Sequence, residues 1–357
     1  MSYLVSVVIA TYHRPNLLKR CLEALIGQNI NPTLFEIIVV DDGADPETEH
    51  VVEEVSNQAV AYQLVSPMVF TGQNDVLQTS EQIEAGTFTS VTGLPRIHYF
   101  AAPPGKTGPG AARNEGWKAA QGKIIAFTDD DCLPEPDWLE KGTAKILEGA
   151  AGASGKVIVP LPDQPTDSER NMRGLEYSEF VTANCFYRRD VLEETGGFDE
   201  RFQIAWREDS DLYFSVLERG YRLVQAPDAV VVHPSRKAPW GYSLREQRKN
   251  YYSALLYKKH PQAYQSKLQN HAPKAYYMST LALLSAGIGG IMGNLPVGIS
   301  SLSLWTGLTL AFTVRRLQGN SRSLRHKLEM LVTSAFIPLL ALFWRTVGSI
   351  RFRTWFF

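Results

Sequence analysis

Up to Asp131, short β-branched runs alternate with segments of helical period, and two of the runs end directly in acids. Val5-Ser6-Val7-Val8-Ile9 is almost uniformly apolar and too short for a helix, so it predicts a strand buried on both faces of a parallel sheet. Pro15 then opens a helix whose Leu17, Leu18, Cys21, Leu22, Leu25 and Ile26 recur at helical spacing. A second buried strand, Phe35 to Val40, runs into Asp41-Asp42-Gly43, and a helix follows from Pro46. Arg96 to Phe100 predicts a third strand, Gly110 to Ala120 a helix, and Lys123 to Phe127 a fourth strand ending at Asp129-Asp130-Asp131. Such alternation implies an α/β fold, a mostly parallel Rossmann-like sheet flanked by helices. Ligands in such sheets bind beyond the carboxyl ends of the strands, which is where both acidic clusters fall.

Between Ser66 and Pro95 the pattern lapses into Gly, Thr, Gln, Ser and Asn, and this predicts an insertion loop. Beyond it, a helix is expected from Glu135 to Leu147, a strand at Lys156 to Val159, a helix from Glu208 to Arg219, and a short strand from Ala229 to Val232 ending at His233. Residues 1–240 are thus expected as one catalytic domain, 241–275 as a basic amphipathic linker with a helix from Arg245 to Lys259, and 276–357 as C-terminal hydrophobic helices.

Charge distinguishes that last part. The net charge is -1, so there is no global pull on nucleic acid. From Tyr276 onward, however, Glu329 is the one acid beside Arg315, Arg316, Arg322, Arg325, Lys327, Arg345, Arg351 and Arg353. Tyr277 to Val314 is uncharged and long enough for roughly two membrane spans. Met330 to Trp344 is short for a span and contains Pro338, so crossing, re-entry and lying in the interface all remain open for it. The basic loop Arg315 to Lys327 is expected on the cytoplasmic side. With no secretory signal expected at the start, the localisation implied is the inner (plasma) membrane with a cytoplasmic catalytic domain. A buried helical hairpin of a soluble domain is the competing reading. The three cysteines, Cys21, Cys132 and Cys185, match neither a disulfide framework nor a zinc spacing.

Three adjacent carboxylates at Asp129 to Asp131 repel one another, and a divalent cation removes that penalty; hard oxygen ligands suit Mn²⁺ or Mg²⁺. The partner of such a cation is commonly a diphosphate leaving group. A solvated acidic turn is the alternative. Gly110-Ala111-Ala112-Arg113-Asn114-Glu115-Gly116 lets backbone approach a ligand at a helix start, with Arg113 to grip a phosphate oxygen. Glu208-Asp209 either serve a helix dipole or supply a general base. His233 is either structural or a third metal ligand.

Taken in order, these segments resemble the family 2 glycosyltransferases, which have the GT-A fold and invert the anomeric centre. The resemblance rests on Val5 to Pro15, Val39-Val40-Asp41-Asp42-Gly43, Gly110 to Gly116, Phe127 to Asp131 with Trp138-Leu139, Asn184 through Gly196-Gly197-Phe198-Asp199-Glu200, and Trp206-Arg207-Glu208-Asp209-Ser210-Asp211-Leu212. It implies a nucleotide-diphosphate-sugar transferase in which Ala10, Tyr12 and Asp42 hold the nucleoside. Arg113 and Asp130 then serve the donor. Asp129 and Asp131 form the metal pair, with Asp131 the expected direct ligand and His233 a further one. It also implies Asp209 as the base with Glu208 in support, and Trp206, Asn184 and Gly197 on the acceptor side. No Gln-x-x-Arg-Trp motif of the processive synthases is present, so transfer of one sugar is expected, to a saccharide or lipid-linked acceptor. A nucleotidyltransferase is the weaker alternative, since the turn Ala10-Thr11-Tyr12-His13 is not a glycine-rich loop with a basic residue. A non-catalytic membrane scaffold is the other, although both acid sets are intact.

Overall fold

A computed structural model describes residues 3–65, 94–103, 105, 108–268 and 272–356. The expected insertion therefore lies, up to residue 93, outside the described residues. In chain order the elements are β1 (Val5–Thr11), α1 (Pro15–Ile26), β2 (Phe35–Asp41), α2 (Pro46–Val65), β3 (Arg96–Ala101), α3 (Pro109–Ala119), β4 (Ile124–Asp129), β5 (Leu133–Pro134), α4 (Trp138–Leu147), β6 (Gly152–Ile158), α5 (Asp167–Met172), β7 (Cys185–Arg188), α6 (Arg189–Thr195), α7 (Glu208–Glu218), β8 (Leu223–Val232), α8 (Tyr242–Glu246), α9 (Asn250–Lys259), α10 (Pro261–Ala263), α11 (Lys274–Ile291), α12 (Leu295–Leu317) and α13 (Leu324–Phe352). They divide into two compact units. One contains residues 1–157, 180–197 and 221–233, the other residues 158–179, 198–220 and 234–357.

The first unit is built on one eight-stranded sheet in the order β3-β2-β1-β4-β7-β6-β8-β5. The expected parallel arrangement holds for β3, β2, β1 and β4. The other half is antiparallel at β4–β7, β6–β7 and β5–β8, so the sheet is mixed. Val5, Val7, Val8 and Ile9 are all fully buried, which explains why β1 reads as a continuous apolar run rather than an alternating one. Leu18, Cys21, Leu22 and Leu25 form the buried face of α1. The register sets Ala10 beside both Val40 and Asp129, and Thr11 beside Asp41. The carboxyl ends of β1, β2 and β4 are therefore level, and the acidic turns share one edge.

The buried polar groups at the opposite end of these strands are satisfied. Ser6 Oγ donates to Glu36 Oε1 over 2.6 Å, and the backbone N–H of Gln121 donates to the same oxygen. On the other side of the sheet, α4 packs so closely on β7 that a Cβ at Gly142 would lie 2.1 Å from the Phe186 ring. Gly142 is a packing requirement, not a flexible joint.

In the second unit Lys259, at the end of α9, and His260, between α9 and α10, clamp α7 through charges. Lys259 Nζ lies 2.6 Å from Asp199 Oδ2 and 2.7 Å from Asp211 Oδ2. His260 bridges Asp211, 3.1 Å from Nε2, and Glu218, 2.8 Å from Nδ1. Burial opposes the charged imidazole, but the two carboxylates outweigh it and raise the His260 pKa.

The C-terminal helices depart from expectation at α13. The run Met330 to Trp344 read as too short for a span, yet it lies inside a helix of 29 residues that continues through Pro338. Apolarity alone marked its middle; both polar ends keep the helical period, with His326, Met330, Thr333, Ile337, Ala341, Arg345 and Gly348 all buried. Among the described residues two helices, α12 and α13, are long and apolar enough to cross a membrane.

Two outcomes are expected. Gly142→Ala should lower stability by about 1–3 kcal/mol through overpacking against Phe186, read as a lower Tm with the far-ultraviolet circular dichroism of the wild type; an unchanged Tm would show that β7 yields. His260 has a raised folded pKa, so its contribution is complete below the unfolded value of about 6.5 and is lost as pH rises through the folded value. The Tm deficit of His260→Gln should accordingly be larger near pH 6 than near pH 9, and equal deficits would refute the pairing.

Candidate active site

The first unit gathers most of the expected donor and metal residues at the level ends of β1, β2 and β4. Asp42 follows β2. Its Oδ2 accepts from the backbone N–H of Gly108, just before α3, over 2.8 Å. Its Oδ1 is buried with no hydrogen-bond partner among the described residues, an open acceptor. Tyr12 is 58% exposed and meets the His13 ring edge to face. Asp41 shapes this turn rather than joining it: its two oxygens accept from the backbone of Gly43 and Asp45 and from Tyr99 Oη.

The triplet after β4 divides its labour. Asp129 Oδ1 is held by Arg113 Nη2 at 2.8 Å, which ties the triplet to α3. Asp130 turns inward, accepting from Thr11 Oγ1 at 2.8 Å and Arg14 Nη1 at 3.1 Å. Burial lifts its pKa to about 6, with Arg14 and Thr11 opposing and the neighbouring carboxylates reinforcing the rise. Thus Asp130, expected beside the donor, fastens the first turn to the triplet. Asp131 faces His233 instead, with Oδ1 3.3 Å from Nε2 at the end of β8.

Asp129, Asp131, Cys132 and His233 each offer one ligand atom within 4.8 Å of the others. His233 Nδ1 is buried with no hydrogen-bond partner among the described residues. Burial first, and the nearby carboxylates second, push the Cys132 thiol well above its ordinary range, and a soft sulfur suits a hard divalent cation less well than the oxygens around it. Two carboxylates and an imidazole remain, a donor set that fits a hard divalent cation. Cys132 was not singled out beforehand. Its one sequence signal is adjacency to the triplet.

Two residues expected on the acceptor side serve the scaffold. Asn184 is fully buried. Its Oδ1 accepts from Trp138 Nε1 at 2.8 Å, and its Nδ2 donates to the carbonyls of Lys156 and Ala229 at 2.9 Å, so it staples α4, β6 and β8. At Gly197, φ is +73°, and a Cβ there would lie 2.5 Å from Trp117 Nε1 and 2.6 Å from Asn114 Oδ1 of α3. Both demand their residue type for packing, which no motif could distinguish from ligand contact.

The second unit holds the expected base motif. Glu208 is buried and opens α7 beside the partly exposed Asp209. Asp209 Oδ1 accepts from Ser210 N at 2.6 Å and Ser210 Oγ at 3.2 Å. Trp206 is flanked by two cations, Arg207 Cζ at 4.6 Å and Lys249 Nζ at 5.0 Å from its ring centroid. Arg207 adopts φ +76°, a left-handed conformation rare for a branched-free side chain other than Asn or Asp, immediately before the acidic pair.

Residues 3–253 match the family described as "Glycosyltransferase like family 2". The chain is 27% identical over 257 residues to glycosyltransferase AglE of Haloferax volcanii, a match covering 68% of this chain and 70% of that one. It is 24% identical over 262 residues to the O-antigen biosynthesis protein RfbC of Myxococcus xanthus, covering 64% of this chain but 17% of that larger protein. In fold it is similar to the mannosyltransferase PcManGT of Pyrobaculum calidifontis, solved with GDP-Man and Mn²⁺, with a TM-score of 0.55 and 18% identity over 95% of this chain and 88% of that one.

For Asn184 the geometry makes a discriminating forecast. Asn184→Leu should cost about 1–3 kcal/mol for each buried partner left unsatisfied, seen as a marked fall in Tm. Full stability in the variant would return Asn184 to the ligand-facing set.

Proposed function

From the premise that the chain belongs to the glycosyltransferase-like family 2, and is a glycosyltransferase, we propose that it moves one sugar from a nucleotide-diphosphate donor to an acceptor hydroxyl with inversion. The observation that carries this reading is the clustering of Asp129, Asp131 and His233 at the edge where the ends of β1, β2 and β4 lie level and where Asp42 keeps an open acceptor atom. Asp42, with Ala10 and Tyr12, holds the nucleoside. Asp129, Asp131 and His233 hold Mn²⁺ or Mg²⁺, which neutralises charge on a departing diphosphate. Arg113 orients Asp129 and would steady the diphosphate or the sugar of the donor. Asp209, with Glu208 in support, removes the proton of the acceptor hydroxyl, whose oxygen then attacks the anomeric carbon opposite the leaving group. The GDP-Man and Mn²⁺ of the similar mannosyltransferase support the class of donor and cation.

The acceptor is proposed to be a lipid-linked saccharide or glycolipid, and the site of action the cytoplasmic face of a plasma membrane. Two apolar C-terminal helices and a nearly acid-free, cationic C-terminal region support this.

Asp209→Asn should lower turnover by about 10²–10⁴-fold, the usual contribution of a positioned general base, while nucleotide affinity stays unchanged. Retained turnover would remove Asp209 from this role. Asp131→Ala should weaken Mn²⁺ binding, measured calorimetrically, whereas Cys132→Ser should leave it near the wild-type value. The reverse order would make the thiol a ligand.

A further inference from the structure

Helix α13 carries its polarity the wrong way round for a helix on a water-facing surface. Its buried face carries polar groups, His326, Thr333, Ser334, Arg345 and Ser349, alongside Met330, Ile337, Pro338 and Ala341. From Leu328 to Ile350 its exposed residues are apolar but for Thr346, with Leu328, Phe336, Phe343 and Ile350 following one another at helical spacing, Phe343 at 53% and Ile350 at 73% exposure. Water would reverse that arrangement, whereas lipid favours it.

Both ends of α13 are nonetheless fastened to the same charged segment. Near its start, Glu329 Oε1 accepts from the backbone N–H of Gly241, just before α8, at 2.8 Å. Near its end, Gly348 lies so close to α9 that a Cβ would meet the Tyr251 carbonyl at 2.5 Å, and the Tyr251 ring packs on Trp344 and Phe352. The stretch of α13 between these two anchors is about 29 Å long, close to the thickness of a bilayer's hydrocarbon core. If α13 crossed a membrane, the α8–α9 segment would have to cross beside it. Between Gly241 and Tyr251 that segment carries Arg245, Glu246, Arg248 and Lys249, and charge at that depth is strongly unfavourable.

The cations point the same way. Arg322, Arg325 and Lys327 are exposed at the start of α13, and Arg351 and Arg353 at its end. A crossing helix concentrates basic residues on one side, whereas a helix lying flat keeps both ends at headgroup level. The single acid, Glu329, is already engaged by Gly241.

Building on the membrane association proposed above, we infer that α13 lies in the plane of an anionic bilayer surface, its Leu328–Phe336–Phe343–Ile350 face among the upper acyl chains, and does not span. Insertion into the core belongs to the α11–α12 hairpin, of which α12 is long and apolar enough to cross. The most apolar 18-residue stretch of α12 is 11% buried against 39% for that of α13, and Ile291, Met292 and Leu295 are exposed at the turn joining α11 to α12.

The test places single thiols on the outer face by Leu328→Cys, Phe336→Cys, Phe343→Cys and Ile350→Cys in the full chain. Cys21, Cys132 and Cys185 are buried, so an added probe labels the new position. In phosphatidylglycerol–phosphatidylcholine vesicles, a fluorophore at each site is read against lipids carrying a quencher high or low on the acyl chain. The inference expects the shallow quencher to exceed the deep one at all four sites. Deep quenching that peaks at Phe336 and Phe343 and fades toward Leu328 and Ile350 would show a span and overturn it. Quenching by neither lipid would remove the face from the membrane and overturn it as well. Nucleoside-diphosphate release by the same preparations reports the glycosyltransferase reading separately.

Discussion

Crowded negative charge at the end of β4 is the constraint around which the first unit is arranged. Three consecutive carboxylates cannot share a buried strand end without compensation. Each is met differently: Asp129 by Arg113 of α3, Asp130 by Thr11 and Arg14 of the first turn, and Asp131 by His233 at the end of β8. The parallel register is what makes these meetings possible, because it sets the ends of β1, β2 and β4 at one level. Elements distant in sequence are thereby tied to one acidic turn. Such a turn, with Asp129, Asp131 and His233 each offering a ligand atom, is the setting for a divalent cation.

Much of this was legible in the sequence because buried parallel strands and their terminal acids are local patterns. The runs Val5 to Ile9, Phe35 to Val40 and Lys123 to Phe127 announce themselves by length and β-branching, and the triplet by its improbability as a plain turn. The antiparallel half of the sheet was not legible in the same way. β7 has four residues, and its pairing with β4 and β6 is settled by tertiary contact, as where the Phe186 ring fills the space that Gly142 leaves open.

Role within a motif was harder to read than membership of it. Asn184, Gly197 and Asp130 all sit in segments that resemble a known family, yet the structure engages each with the protein: Asn184 with Trp138, Lys156 and Ala229, Gly197 against Trp117 and Asn114, Asp130 with Thr11 and Arg14. A residue type imposed by packing and one imposed by a ligand look alike in a sequence. For α13 the difficulty was different. Hydropathy marks its middle, but whether it crosses or lies flat depends on what each end is fastened to, and Gly241 and Tyr251 are remote from it along the chain.

The central claim, a cation-dependent transfer from a nucleotide sugar, is tested most directly by nucleoside-diphosphate release from the purified, detergent-solubilised chain. A panel of nucleotide sugars is offered with Mn²⁺, with Mg²⁺ and with EDTA. The account predicts release from one donor in the presence of a divalent cation and its loss in EDTA. Release that persists undiminished in EDTA, or no release from any donor together with no nucleotide binding, would contradict it.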